Sequence, residues 1–224
     1  MNKAIKCSSL DFLTIRPYAL KNMAIMAAMI VLMSIMNKDT MFPLMMCGMY
    51  GIILLSYPFV IGEKNNMDNF YGTLSINRDT IVKGRYIFCI LFGIINVVMG
   101  VILCLGVNAV FSLNTSIGEI LFAASIVFSI YIIMAAIQMP MYFKLGYSKA
   151  KFYAMIPIFV IPMVIGMLKP VVEGGGSIVE FGKKIAVIVD KNPGLSAVAV
   201  VAFALLLMEI SMIISSKLYR DKDR

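Results

Sequence analysis

Six apolar runs, each long enough to cross a lipid bilayer, take up most of this chain: about residues 17–36, 41–62, 85–111, 117–143, 152–168 and 195–216. A hydrocarbon core about 30 Å thick calls for roughly 20 helical residues per crossing. No backbone polar group can be left unpaired within it, so such runs must be helices. The sequence therefore reads as an all-α integral membrane protein, a single transmembrane domain over 1–224 with six transmembrane helices. At 61% hydrophobic and 14% charged residues, the 224 positions leave no room for a separate soluble domain.

Local signals refine the runs. Pro17 suits the first turn of the first span, where a missing N–H costs nothing. Asn77 reads as an N-cap with Asp79 in the first turn of the helix that leads into the third span. Gly93, Gly100 and Gly106 in that span allow close helix approach. Pro157 and Pro162 predict a kinked or broken fifth span.

Orientation follows from the basic residues. The N-terminal segment through Lys21, the 63–86 stretch, the 144–151 loop and the C-terminal tail hold 15 of the 20 Lys and Arg. Lys38, Lys169, Lys183, Lys184 and Lys191 lie on the opposite side. The positive-inside rule places both termini in the cytoplasm. The net charge of +8 is then a property of the membrane face and does not call for nucleic acid.

Three polar segments carry amphipathic patterns. Ile5, Phe12, Leu13 and Ile15 stand among Lys3, Lys6, Asp11 and Arg16, which suits a helix at the inner headgroup layer or a basic tail. After Gly174-Gly175-Gly176, Ser177 and Glu180 fit a capping box for an interfacial helix over 177–190, before the last span. The third segment, EKNNMDNFYGTLSINRDTIVKGRY from Glu63 to Tyr86, is far longer than a turn needs. Met67, Phe70, Tyr71 and Leu74 fall at i, i+3, i+4 and i+7, one face of a short helix across the membrane surface. It suits either a docking surface for a cytoplasmic partner or an interfacial loop that steadies its neighbours.

Enzymatic chemistry finds little support. There is no histidine, which removes the commonest general base and metal ligand. Cys7, Cys47, Cys89 and Cys104 stand singly and read as free thiols, not zinc ligands. No GxxxxGK[ST] loop is present to cradle ATP. Glu209 is the one acidic residue in the interior of a span, beyond its first turn, read as locally ion-paired or hydrogen-bonded across helices, with a functional role as the alternative. Asn96, Asn108 and Gln138 read as interhelical glue, and the 20 methionines as core and lipid-facing residues or an adaptable surface for apolar cargo.

The six spans, Asp11-Phe12-Leu13 in the N-terminal helix and the 63–86 loop together resemble an ABC-2 type transporter permease. More narrowly, they resemble the small permease subunits of bacterial peptide exporters, including those for phenol-soluble modulins and lantibiotic-like peptides. Leu74, Arg78, Ile81, Val82 and Tyr86 match that family's loop, Arg85 stands for its lysine, and Ser75 and Asn77 depart from its proline and serine. The resemblance implies a multi-pass protein of the bacterial plasma membrane, paired with a second permease chain and a cytoplasmic ABC ATPase that holds ATP and Mg. The coupling helix would dock that ATPase through Glu63, Met67, Phe70, Tyr71, Leu74 and Arg78, with Lys144, Tyr147 and Lys149 as a second contact. The cargo would be an amphipathic or hydrophobic peptide. Export of another amphiphile or immunity to an antimicrobial peptide fits the same architecture, whereas an ion-coupled carrier or intramembrane enzyme fits it poorly. On this reading the chain is not an enzyme and binds no cofactor of its own.

Overall fold

The structure is a computed structural model, and it describes residues 3–37, 39–67, 76–157 and 192–220. Every regular element among them is a helix: α1 (Lys3–Asn37), α2 (Phe42–Leu54), α3 (Tyr57–Lys64), α4 (Arg78–Phe111), α5 (Ile117–Leu145), α6 (147–157) and α7 (Pro193–Arg220). Phe42–Lys64, Arg78–Phe111, Ile117–Leu145 and Pro193–Arg220 are long and apolar enough to cross a membrane, at the expected second, third, fourth and sixth spans. Within α1 the stretch Ala24–Ser34 is apolar but shorter. Most of the expected fifth span and all of the 177–190 helix lie outside the described residues.

Two expectations about helix boundaries are corrected. The N-terminal segment and first span form one uninterrupted helix, α1, so Pro17 falls inside it and not in a first turn. Packing explains the continuity. A Cβ added to Gly84 on α4 would sit 2.7 Å from Cys7 Cβ and 2.9 Å from the Ala4 carbonyl, so the first turns of α1 press against α4. The second span is interrupted between α2 and α3. Pro58, in the first turn of α3, has no N–H to continue the α2 ladder and crowds the carbonyl four residues back.

Asn77 caps α4 as expected, its side chain accepting from the Asp79 N–H at 3.2 Å. Ser116 does the same for α5, accepting from the Glu119 N–H at 3.2 Å. The most extensive contact joins α5 to α7, followed by α1 and α2 against α4. Tyr131 anchors the centre: its ring fills the space a side chain at Gly93 would need, 2.3 Å from that Cβ position, and its hydroxyl donates to the Cys89 carbonyl at 3.0 Å. A Cβ at Gly100 would stand 2.9 Å from Leu44, but one at Gly106 would meet nothing within 4 Å among the described residues, so two of the three expected contacts form there.

Buried hydroxyls link the helices. Tyr86 on α4 shares hydrogen bonds with Ser211 (2.7 Å) and Ser215 (2.8 Å) on α7, and Ser211 donates to the Ala136 carbonyl on α5. Gln138 on α5 donates to the Ala154 carbonyl on α6 at 2.9 Å, an interhelical bond as expected. Asn96 and Asn108 differ from expectation. Asn96 donates to Phe92 of its own helix, and Asn108 closes the turn after α4 through both backbone groups of Thr115. All four cysteines are free and buried.

Candidate functional site

Apart from Glu209, the sequence-derived site residues that are described gather at one end of the bundle, where α3 and α5 end, α4 and α6 begin, and α7 terminates. The chain gets there by ending α3 sharply. The Asn65 N–H still bonds back to Ile61 at 3.0 Å, then Asn66 turns left-handed at φ 48°, a conformation Asn tolerates better than most residues. The expected helix over 63–74 is therefore interrupted at 65–66, with helix resuming at Met67. Phe70, Tyr71 and Leu74 lie outside the described residues.

Glu63, in the last turn of α3, reaches across to α6. Its carboxylate accepts from the Ser148 backbone N–H at 3.0 Å and from the Ser148 hydroxyl. Ser148 is the second residue of α6, so a carboxylate on one segment satisfies an orphan N–H at the positive end of a helix on another. The two expected contact loops are thus joined through Glu63. Arg78, the first residue of α4, does the converse at the end of α7. It donates to the carbonyls of Tyr219 at 2.9 Å and Arg220 at 3.3 Å, and lies 5.4 Å from the centre of the Tyr219 ring. Asp79 pairs with Arg220 at 3.0 Å.

Met67 is half-buried and packs against the main core. Tyr147 is half-buried and stacks on Tyr142 with ring centres 6.1 Å apart, whereas Lys144 and Lys149 are exposed at the same end.

Glu209 stands apart from this group. It is exposed on the outer face of α7, between Leu206 and Ile210, and forms no ion pair or hydrogen bond among the described residues. Among the described residues no three His, Cys, Asp or Glu side chains come together as a metal site.

Sequence reading missed three participants. Ser148 enters through its backbone and hydroxyl; the Gly-Tyr-Ser before a helical pattern marks a helix start but not its acceptor. Tyr219 enters largely through its carbonyl. Arg85, read only as a loop cation, is buried between aromatic rings, its guanidinium 4.3 Å from the centre of Phe59 and 5.6 Å from that of Phe143. Asp11 of α1 is buried within electrostatic reach of Arg85, and its carboxyl is pushed up to about 6 by burial, with the guanidinium pulling the other way.

The arrangement ties α3 to α6 and α4 to α7 by charged side chains bonded to helix ends. The family model described as ABC-2 family transporter protein matches residues 9–220 of the chain. No curated protein and no solved structure matches it.

Proposed function

Because the chain belongs to the ABC-2 family of transporter proteins, we propose that it is the permease subunit of an ABC exporter, driven by a separate ATPase subunit and moving amphipathic or hydrophobic peptides. The observation that carries the coupling part is the fused end of the bundle, where Glu63 holds α6 and Arg78 holds α7. The basic residues Lys64, Arg78, Lys83, Lys144, Lys149, Lys151, Lys217 and Arg220 belong to this end, and the positive-inside rule supports reading it as the cytoplasmic face. An ATPase docked there through Phe70, Tyr71 and Leu74 would push on α3 and α4 together, and the Glu63 link would pass the movement to α6. ATP shifts the permease between states only by binding one of them better, and a rigid connected block gives that preference a way into the spans. Two permease chains would enclose the pathway, and the abundant methionines suit a wall that adapts to varied apolar cargo.

The test is assembly. Full-length permease is purified with its ATPase from membranes, and ATP hydrolysis is measured in proteoliposomes with and without amphipathic peptide. Phe70→Asp with Leu74→Asp abolishes co-purification and peptide-stimulated hydrolysis. Normal assembly by the double variant refutes the docking surface. Stimulation by lipid but never by peptide redirects the cargo to another amphiphile.

A further inference from the structure

Arg85 is only 7% exposed, and its guanidinium makes no hydrogen bond or ion pair among the described residues; its Nε is fully enclosed without a partner. A buried cation in that state is costly unless something completes it. Phe59 and Phe143 cover the guanidinium but accept no N–H bond. Beside it lies a cavity of about 220 Å³, lined by Arg85, Gly62, Tyr142, Tyr147 and Glu63 among others. Gly62 leaves room for the group: a Cβ there would stand 3.0 Å from Nη2.

We propose that Arg85 and this cavity bind a phosphate group. The planar fork of guanidinium N–H donors matches an oxyanion. Tyr142 and Tyr147 are among the lining residues, and a phenolic O–H can donate to the further oxygens that distinguish phosphate from carboxylate. Two carboxylates lie nearby and neither occupies the fork. Glu63 turns to Ser148, and Asp11 acts on Arg85 from α1 without an ion pair among the described residues. Depth also fits. Arg85 is the last charged residue before the uncharged run 86–111, which alone exceeds the hydrocarbon thickness, so its guanidinium sits at headgroup level. The phosphate can come from a phospholipid headgroup or from free phosphate.

Thermal unfolding of the full chain in neutral detergent micelles separates the sources. Phosphatidylglycerol is titrated against diacylglycerol, which lacks the phosphate, and sodium phosphate against sodium chloride at equal ionic strength. The wild type is stabilised by phosphatidylglycerol and not by diacylglycerol if the source is lipid, and by sodium phosphate if it is soluble. Arg85→Gln loses the response, and Arg85→Lys, which keeps the charge but not the fork, needs about tenfold more ligand. No stabilisation by either phosphate source overturns the proposal, as does an equal response in wild type and Arg85→Gln. If Arg85→Gln does not fold, an Arg85→Lys response equal to wild type overturns it. The readout requires no ATPase and no transport.

Discussion

Cutting the Glu63–Ser148 link loosens the start of α6. Glu63→Ala removes the acceptor of one backbone N–H at 3.0 Å and one hydroxyl, both at the first turn of α6. A hydrogen bond to a charged group in a dry site contributes about 1.5–3 kcal/mol. Glu63 is exposed, however, so solvent replaces much of what is lost and about 1 kcal/mol remains. That corresponds to about a fivefold rise in the local opening constant. The assay is amide hydrogen exchange by mass spectrometry on the full chain in nanodiscs, following peptides over 144–154. Exchange at 147–150 quickens about fivefold in Glu63→Ala and less in Glu63→Gln, which keeps an acceptor but loses the charge. Peptides from the middle of α4 remain unchanged, because local opening there does not involve this contact. Unaltered protection at 147–150 in Glu63→Ala refutes the link, whatever happens to transport.

Asp11 predicts a pH dependence. Its folded pKa of about 6 lies above the ordinary 3.8, so the folded chain holds the proton more tightly than the unfolded chain. Stability from this group is fully present below about 4 and declines as pH rises through about 6, by about 3 kcal/mol at most. Asp11→Asn flattens that decline in melting temperatures measured from pH 4 to 7, and an unchanged slope contradicts the assignment. At the centre of the bundle, Gly93→Ala pushes a methyl into the buried Tyr131 ring and costs about 1–3 kcal/mol, whereas Gly106→Ala, facing open space, is neutral. Melting temperatures that drop equally for both would refute the packing account.

What the sequence made legible follows from how local each signal is. Hydropathy located four described spans because crossing a bilayer depends on composition over a window, not on partners. Asn77 was legible because a cap acts on its own first turn. Glycine spacing was half legible: Gly93 and Gly106 are the same residue in the same helix, and only the tertiary arrangement puts Tyr131 opposite one of them. Pro17 misled because a proline within a helix is disfavoured but tolerated where packing, here Ile15 clustered with Phe88 and Phe92, holds the turn before it.

The links at the candidate site explain why they could not be read from the chain. Glu63 bonds a backbone N–H at the head of α6, and Arg78 bonds backbone carbonyls at the tail of α7, 141 residues away. Each charge has the sign that the helix end opposite it favours. Every helix has such ends, formed from groups that all residues share, so the partner leaves no mark of residue type to search for. A carboxylate at the close of one span and a guanidinium at the opening of the next announce only that they want complementary helix ends. Which ends they meet is decided by the packing of α5 against α7 and of α2 against α4. The same reasoning separates Arg85 from Arg78: both are arginines of one loop, but Arg78 meets a helix terminus that completes it, whereas Arg85 meets aromatic faces that do not. The unfilled donors that Arg85 has among the described residues therefore follow from packing and not from residue type.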